Sequence, residues 1–130
     1  MPWFRPDRRL ARWCRAGFFL ALAAVPVLFL LTGSVLPRPA VNDTLAHGFA
    51  YAVLASLSLF GFGPRRGGWA CLGLFLLGLA VEVIQDLYAP GHGAAWNDVV
   101  ANAGGIATGI ALAGLIDRGR ALRRRVSGQA

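Results

Sequence analysis

The stretch VEVIQDLYAPGHGAAWNDVVAN, residues 81–102, concentrates polar side chains in a chain that is otherwise strongly apolar. The whole chain has 130 residues, of which 56% are hydrophobic and 15% are charged, and its mean hydropathy is +0.55. This length limits the chain to one domain, and the composition is more apolar than that of an average soluble domain. The polar groups of the stretch are Glu82, Gln85, Asp86, His92, Asn97, Asp98 and Asn102. The fold must bring these polar side chains together or to a polar surface, because most of the chain around them is apolar.

Four apolar blocks occupy most of the chain, at residues 17–36, 45–62, 69–88 and 99–116. Each has about 18–20 residues, which matches the ~20 that a helix needs to cross a hydrocarbon core of ~30 Å. The short segments between them are rich in Gly, Pro and polar residues and leave no room for a soluble domain. One of them is predicted as a short inner loop at 61–68. We therefore predict an all-α fold, an integral membrane four-helix bundle with up-down topology. The transmembrane domain is predicted at 17–117, between basic segments at 1–16 and 118–130.

The positive charge of the chain is distributed unevenly. All thirteen basic residues are Arg: five precede the first block, two lie between the second and third, five follow the fourth, and only Arg38 lies in another loop. Four crossings bring these three regions to one side of the membrane, and the positive-inside rule assigns that side to the cytoplasm. Both termini are therefore predicted to be cytoplasmic. The net charge of +7 indicates topology and contact with anionic lipid headgroups rather than nucleic-acid binding, because no basic stripe with interleaved aromatics accompanies the arginines.

The first apolar block also has the arginine-rich flank of a signal peptide. However, it is longer than the usual apolar core of such a peptide, and Gly33-Ser34-Val35 is a poor match to an A-x-A-like cleavage site. We therefore expect a retained first helix.

Polar side chains recur at helical spacing at the outer ends of three of the blocks. Positions three, four and seven apart share one face of a helix. The three stripes are Asp43, His47 and Tyr51; Gly78, Glu82 and Gln85; and Asp98, Asn102, Gly105 and Gly109. At 1.5 Å per residue, His47 and Asn102 lie roughly 5 Å inside the outer boundary, and Glu82 and Tyr51 lie roughly 10 Å inside it. Alternating topology brings the three stripes to the same leaflet, so they are predicted to meet in one polar site.

Isolated acidic residues are costly inside a membrane, at about 2.5–3.5 kcal/mol for one in mid-helix on insertion scales. Sharing hydrogen bonds reduces this cost, and Gly105-x-x-x-Gly109 permits the close approach of helices that sharing requires. A purely structural polar clasp that sets helix register is one interpretation. A site open to the outer side is favoured, because intramembrane hydrogen bonds contribute only ~0.6 kcal/mol on average.

Within this site, Glu82 and His47 are the candidate acid–base pair, because burial disfavours charge on both groups and lets them exchange a proton. The candidate binding residues are Asp43, Tyr51, Gln85, His92, Asp98 and Asn102. No cofactor is expected. No metal site is predicted either, since the available His and acidic donors have no HExxH or paired-His spacing, and Ser56 and Ser58 lie in no GxSxG motif.

The chain from Asp43 onward resembles the VanZ-like family of small bacterial membrane proteins, whose namesake is associated with teicoplanin resistance. The family pattern has an acid and Lys followed by His and Tyr, then Glu-x-x-Gln, a Pro-Gly-Arg loop with a nearby Ser, and Asp-x-x-x-Asn-x-x-Gly-x-x-x-Gly. Its counterparts here are Asp43-Thr44, His47, Tyr51, Glu82-Val83-Ile84-Gln85, Pro90-Gly91-His92, Asp98, Asn102, Gly105 and Gly109. The departures are Thr44 for Lys, His92 for Arg and Ala95 for Ser.

The resemblance implies a multi-pass protein of the bacterial inner membrane with a site facing the cell envelope. Two fixed positive charges of the pattern are absent. If relatives use them to hold a phosphate or carboxylate, this chain is expected either to bind a different ligand or to bind only with His92 protonated. Three functions follow: binding of an envelope lipid or glycopeptide-like molecule, an enzyme that modifies a lipid headgroup by Glu82 and His47 chemistry, and a small proton-coupled transporter. The last is disfavoured because the polar groups all lie in one leaflet. The ligand, the oligomeric state and any resistance role are not specified by the sequence.

Overall fold

The computed structural model describes residues 7–35, 40–88 and 96–128, and it describes side chains over 7–29, 44–84, 86–88 and 96–128. Three α-helices account for nearly all of these residues: α1 (Arg8–Val35), α2 (Ala40–Tyr88) and α3 (Trp96–Val126). Each is long and apolar enough to cross a membrane. The predicted all-α class is therefore confirmed, with three long helices where the sequence shows four apolar blocks.

The second and third blocks are joined in α2, and the backbone changes direction at Gly63. This residue has φ 81° and ψ 172°, a left-handed conformation that glycine adopts without the steric cost of a Cβ. Beyond it the chain packs against itself: Ser58 Oγ donates to the Gly67 carbonyl at 3.3 Å and lies 3.6 Å from Cys71 Sγ. Farther from the turn, His47 meets Glu82. The two halves of α2, 40–62 and 64–88, therefore run antiparallel, and the predicted loop at 61–68 is reduced to a turn at one glycine.

The start of α1 lies beside this turn. The Arg15 Nε donates a hydrogen bond of 2.7 Å to the Gly61 carbonyl, which belongs to the last turn before Gly63, where carbonyls have no partner within the helix. At the other end of α1, the Phe29 ring contacts His47. Helix α1 therefore runs antiparallel to the first half of α2.

Close contact between α2 and α3 depends on two glycines. A Cβ added at Gly105 would overlap the carbonyl oxygen of Gly48, and one added at Gly109 would lie 2.5 Å from that of Ala52. Residue numbers rise together along the two segments, so α3 runs parallel to the first half of α2. The close helix approach that Gly105-x-x-x-Gly109 predicts is confirmed.

The surface of this chain is far more apolar than that of a soluble domain. Large apolar side chains point outward, with Trp13 exposed by 77%, Leu20 by 74% and Phe49 by 74%. The interior has an apolar core that includes Phe18, Leu54 and Leu74, and it also contains the polar side chains of His47, Ser58, Glu82, Asp98 and Asn102. Water as the surrounding solvent disfavours large apolar patches of this kind, whereas hydrocarbon favours them and forces ionisable groups inward.

Both predicted basic segments, 1–16 and 118–130, are partly helical. Helix α1 already begins at Arg8, and α3 continues to Val126, because helices longer than an apolar block can extend into the surrounding polar phase. Asp7 lines the same surface cavity as Arg123, which places the start of α1 beside the end of α3. With Arg15 on the turn of α2, the arginine-rich parts of the chain gather at one end of the molecule.

Candidate functional site

Three ionisable side chains from three separate segments meet inside the structure. Ligand-type atoms of His47, Glu82 and Asp98 all lie within 4.8 Å of one another. The exposed fractions of these residues are only 1%, 4% and 8%. They come from the first half of α2, its second half and the start of α3, so the site exists only in the folded chain. We call these three residues the polar cluster.

His47 lies at the centre of this arrangement. Its Nδ1 is 3.6 Å from Glu82 Oε1 and 3.3 Å from Asn102 Oδ1. The Phe29 ring of α1 stacks on the imidazole, with centroids 3.7 Å apart and planes inclined by 10°. The stacked ring and the two oxygen atoms restrict the imidazole, so its Nδ1 is directed at the acid and the amide.

Asp98 is held by a short hydrogen bond. Thr44 Oγ1 donates to Asp98 Oδ1 at 2.6 Å. Asp98 also stands in the first turn of α3, where the positive end of the helix dipole stabilises a carboxylate. Both interactions orient the carboxyl group while leaving its second oxygen available for another contact.

Tyr51 and Asn102 approach each other where Gly78 lacks a side chain. A Cβ at Gly78 would lie 2.8 Å from Asn102 Nδ2 and 2.9 Å from Tyr51 Oη. Tyr51 and Asn102 are exposed by only 2% and 1%. The glycine therefore makes room for a phenol and an amide directly beside the polar cluster.

The polar cluster lies far from the arginine-rich end. At 1.5 Å per residue, His47 lies about 24 Å from Gly63 along the first half of α2, and Glu82 about 28 Å along the second. The turn at Gly63 adjoins the start of α1 through Arg15 and Gly61. The cluster is consequently near the opposite ends of the helices.

The structure brings together five of the eight residues that the sequence predicts for the site: His47, Tyr51, Glu82, Asp98 and Asn102. Asp43 and Gln85 lie in the backbone of α2, but their side chains are outside the described residues, as is all of His92. The roles of these three remain predictions. Asp86 and Asn97, also in the quoted stretch, are exposed and do not join the cluster.

Sequence reasoning missed two contributors, Phe29 and Thr44. Phe29 gives no signal because it is one apolar residue in an apolar block. Gly78 was placed on the same stripe as Glu82, but the space that it leaves becomes visible only when α3 packs against it. Thr44 stands where the family pattern has Lys, and that departure was the available signal for its contact with Asp98. The two serines considered as nucleophiles bond to backbone carbonyls: Ser56 to Ala52, and Ser58 to Ala55.

The arrangement can exchange a proton between His47 and Glu82, whose nearest atoms are almost in hydrogen-bond contact. It can also bind a polar or cationic group, since two carboxyl groups converge on one imidazole.

No protein-family model, no curated protein and no solved structure matches this chain.

Proposed function

We propose that this chain is a VanZ-like protein of the bacterial inner membrane, a four-helix bundle with up-down topology and both termini in the cytoplasm. The antiparallel halves of α2 support two crossings within that helix, because 40–62 and 64–88 measure about 34 and 37 Å, enough for a ~30 Å hydrocarbon core. The gathering of arginines at one end supports a cytoplasmic location for that end.

Aromatic residues support the same orientation. Trp69 and Tyr88, exposed by 69% and 85%, stand at opposite ends of the second half of α2, about 29 Å apart along the helix. Trp13 lies at the arginine-rich end and Trp96 at the other, exposed by 77% and 78%. Exposed Trp and Tyr at both ends of a helix are typical of the two membrane–water interfaces.

The function proposed for the chain is binding of a cell-envelope lipid or glycopeptide-like molecule at a polar site open to the periplasm, with an effect on antibiotic susceptibility. The observation that carries it is the burial of the His47, Glu82 and Asp98 cluster at the end opposite the arginines. A polar clasp that only fixes helix register is a weak explanation for this burial. Removing each of the two acids from water costs several kcal/mol, whereas each hydrogen bond inside a membrane returns only about 1 kcal/mol.

Lipid binding is tested by purifying the protein in mild detergent from bacterial membranes and identifying the co-purified lipids by mass spectrometry. We expect one envelope lipid class to be enriched with the wild type and depleted with Glu82→Gln, which keeps the shape of the side chain. Asp86→Asn is the matched control, since it removes an exposed carboxyl one turn along the same helix. Identical lipid profiles for all three proteins would contradict the proposal.

Antibiotic susceptibility gives a second test in living cells. Cells that produce the wild type are expected to differ in growth inhibition by a glycopeptide such as teicoplanin from cells that produce Glu82→Gln at the same level. The Asp86→Asn protein should behave as the wild type. Equal inhibition across all three strains would remove the resistance part of the proposal and leave lipid binding to the first experiment.

A membrane-embedded enzyme is the second candidate, and the 3.6 Å approach of His47 Nδ1 to Glu82 Oε1 favours it. These groups would act as acid and base on a lipid headgroup. Purified protein is incubated with an envelope lipid extract, and products are followed by mass spectrometry. The enzyme predicts a new product with the wild type and none with Glu82→Gln, even where that variant still binds lipid; no product from the wild type excludes it.

A further inference from the structure

The polar cluster combines one imidazole with two carboxyl groups, a donor set that proteins use for transition-metal ions. We propose that His47, Glu82 and Asp98 bind a divalent metal ion of the Zn²⁺ class. The three side chains supply one nitrogen and two oxygen donors from three separate helical segments. Catalytic zinc sites use three protein ligands of these types and leave a fourth position for water or a ligand.

The spacing of the donors fits one ion. Ligand atoms of a tetrahedral zinc site lie about 3.4 Å apart, given metal–ligand distances of about 2.0–2.1 Å. His47 Nδ1 and Glu82 Oε1 are 3.6 Å apart, and no pair among the three donors exceeds 4.8 Å. Even at that upper limit, the centre of the triangle lies about 2.8 Å from each atom, so movements under about 1 Å complete the coordination.

Charge also favours a divalent ion at this place. As metal ligands, two carboxyl groups bind as carboxylates and the imidazole binds as the neutral ring, and a divalent cation cancels the resulting charge of about −2 in a region where isolated ions are expensive. Zinc, cobalt and nickel accept imidazole together with carboxylate, whereas magnesium prefers oxygen donors alone. The donor set therefore selects a borderline transition metal.

Neighbouring residues hold the three donor side chains in place. In known metal sites, residues that contact the ligands but not the metal have the same role. Thr44 donates to Asp98 Oδ1 at 2.6 Å, and Phe29 stacks on the His47 ring. Such contacts fix which atom of a ligand faces the metal and raise affinity.

Asn102 supplies an independent indication that a group is bound beside the cluster. Its Oδ1 lies 3.3 Å from His47 Nδ1, a contact that a metal ion on Nδ1 would replace, and the residue is 1% exposed. Its Nδ2 is buried and has no hydrogen-bond partner among the described residues. Buried amide donors are nearly always satisfied, so this one calls for an acceptor, which a metal-bound water provides.

The inference extends the proposed function, because the ion would occupy the site proposed for the envelope ligand. It is tested without that ligand. The full chain is purified in detergent without a polyhistidine tag, stripped with a chelator and titrated with Zn²⁺, and bound metal is measured by mass spectrometry. Co²⁺ replaces Zn²⁺ in a parallel titration, where visible absorption reports a nitrogen- and oxygen-coordinated ion.

We expect one equivalent of metal in the wild type, with affinity lowered at least about tenfold in Glu82→Gln and in Asp98→Asn. Asp86→Asn is the control and should bind as the wild type, because that carboxyl is exposed. Zn²⁺ should also raise the unfolding temperature of the wild type and of the control, but not that of Glu82→Gln.

Absence of stoichiometric metal in the wild type would overturn the inference, a result that needs no variant. Equal affinity in Glu82→Gln, Asp98→Asn and the control would overturn it too, since the metal would then bind elsewhere. If zinc fails to bind while Glu82→Gln still abolishes lipid enrichment, the metal site is wrong and the proposed function stands. If zinc binds but no lipid class is enriched, the metal site stands and the proposed function is wrong.

Discussion

The contact between Gly105 and the backbone of α2 makes Gly105→Ala a severe substitution. The added Cβ would overlap the carbonyl oxygen of Gly48 and lie 2.9 Å from its carbonyl carbon. Neither atom belongs to a flexible side chain, so relief requires α3 to move away from α2. Because Asn102 lies one turn before Gly105, the same movement carries its amide away from His47.

The expected loss of stability follows from two opposing effects. Overpacking of a well-packed interior costs about 1–3 kcal/mol. Alanine regains up to about 1 kcal/mol over glycine through its helix propensity. Because the overlap is with backbone atoms, the upper end of that cost applies, and the net destabilisation is about 2 kcal/mol, which corresponds to a fall in unfolding temperature of about 6–10 °C for a chain of this length.

The matched control is Gly104→Ala in the same turn of α3. A Cβ there meets nothing within 4 Å, so only the helix-propensity gain remains. Thermal unfolding of the two purified variants, followed by tryptophan fluorescence in one detergent, separates the effects. An unfolding temperature of Gly105→Ala equal to or above that of Gly104→Ala would refute the close contact.

Three further predictions concern the turn and the topology. Gly63→Ala should lower stability by about 1–3 kcal/mol, because φ 81° with ψ 172° is a backbone conformation that essentially only glycine adopts. Gly68→Ala, with open space around its Cβ in a helix, should instead be neutral or up to about 1 kcal/mol stabilising in the same unfolding assay. Arg15→Gln should cost about 1 kcal/mol by removing the hydrogen bond to Gly61, and exposed Arg12→Gln should not; equal unfolding temperatures would contradict this. Alkaline phosphatase fused to either terminus should be inactive in bacterial cells, and green fluorescent protein fused there should be fluorescent. An active phosphatase at either end would contradict the proposed orientation.

Much of the helical framework could be predicted from the sequence. An apolar block of about 20 residues specifies a helix in hydrocarbon, because every backbone polar group must be satisfied within the segment. The boundaries were less accurate. The 61–68 loop was predicted from its Gly, Pro and Arg residues, but the reversal requires only the left-handed conformation of Gly63. The basic flanks were predicted as separate segments, although α1 begins at Arg8 and α3 extends to Val126.

The candidate site was predictable to the level of helix faces. Helical spacing places His47 above Tyr51, and Asp98 above Asn102, on single stripes, and the cost of isolated polar groups in a membrane requires those stripes to meet. The pairings within the site were not predictable. The bond from Thr44 to Asp98 and the stacking of Phe29 on His47 both join residues more than fifteen positions apart.

By itself, the sequence determined that the helices face an apolar solvent, which end carries the positive charge, and which residues share a face, because these properties depend on composition and on the 3.6-residue period. Only the tertiary structure decided how each helix is rotated and how deeply it sits against its neighbours. That choice depends on side-chain volumes at the contacts, where the absent side chains of Gly78 and Gly105 let Asn102 and α3 approach α2 closely enough for His47, Glu82 and Asp98 to share one site.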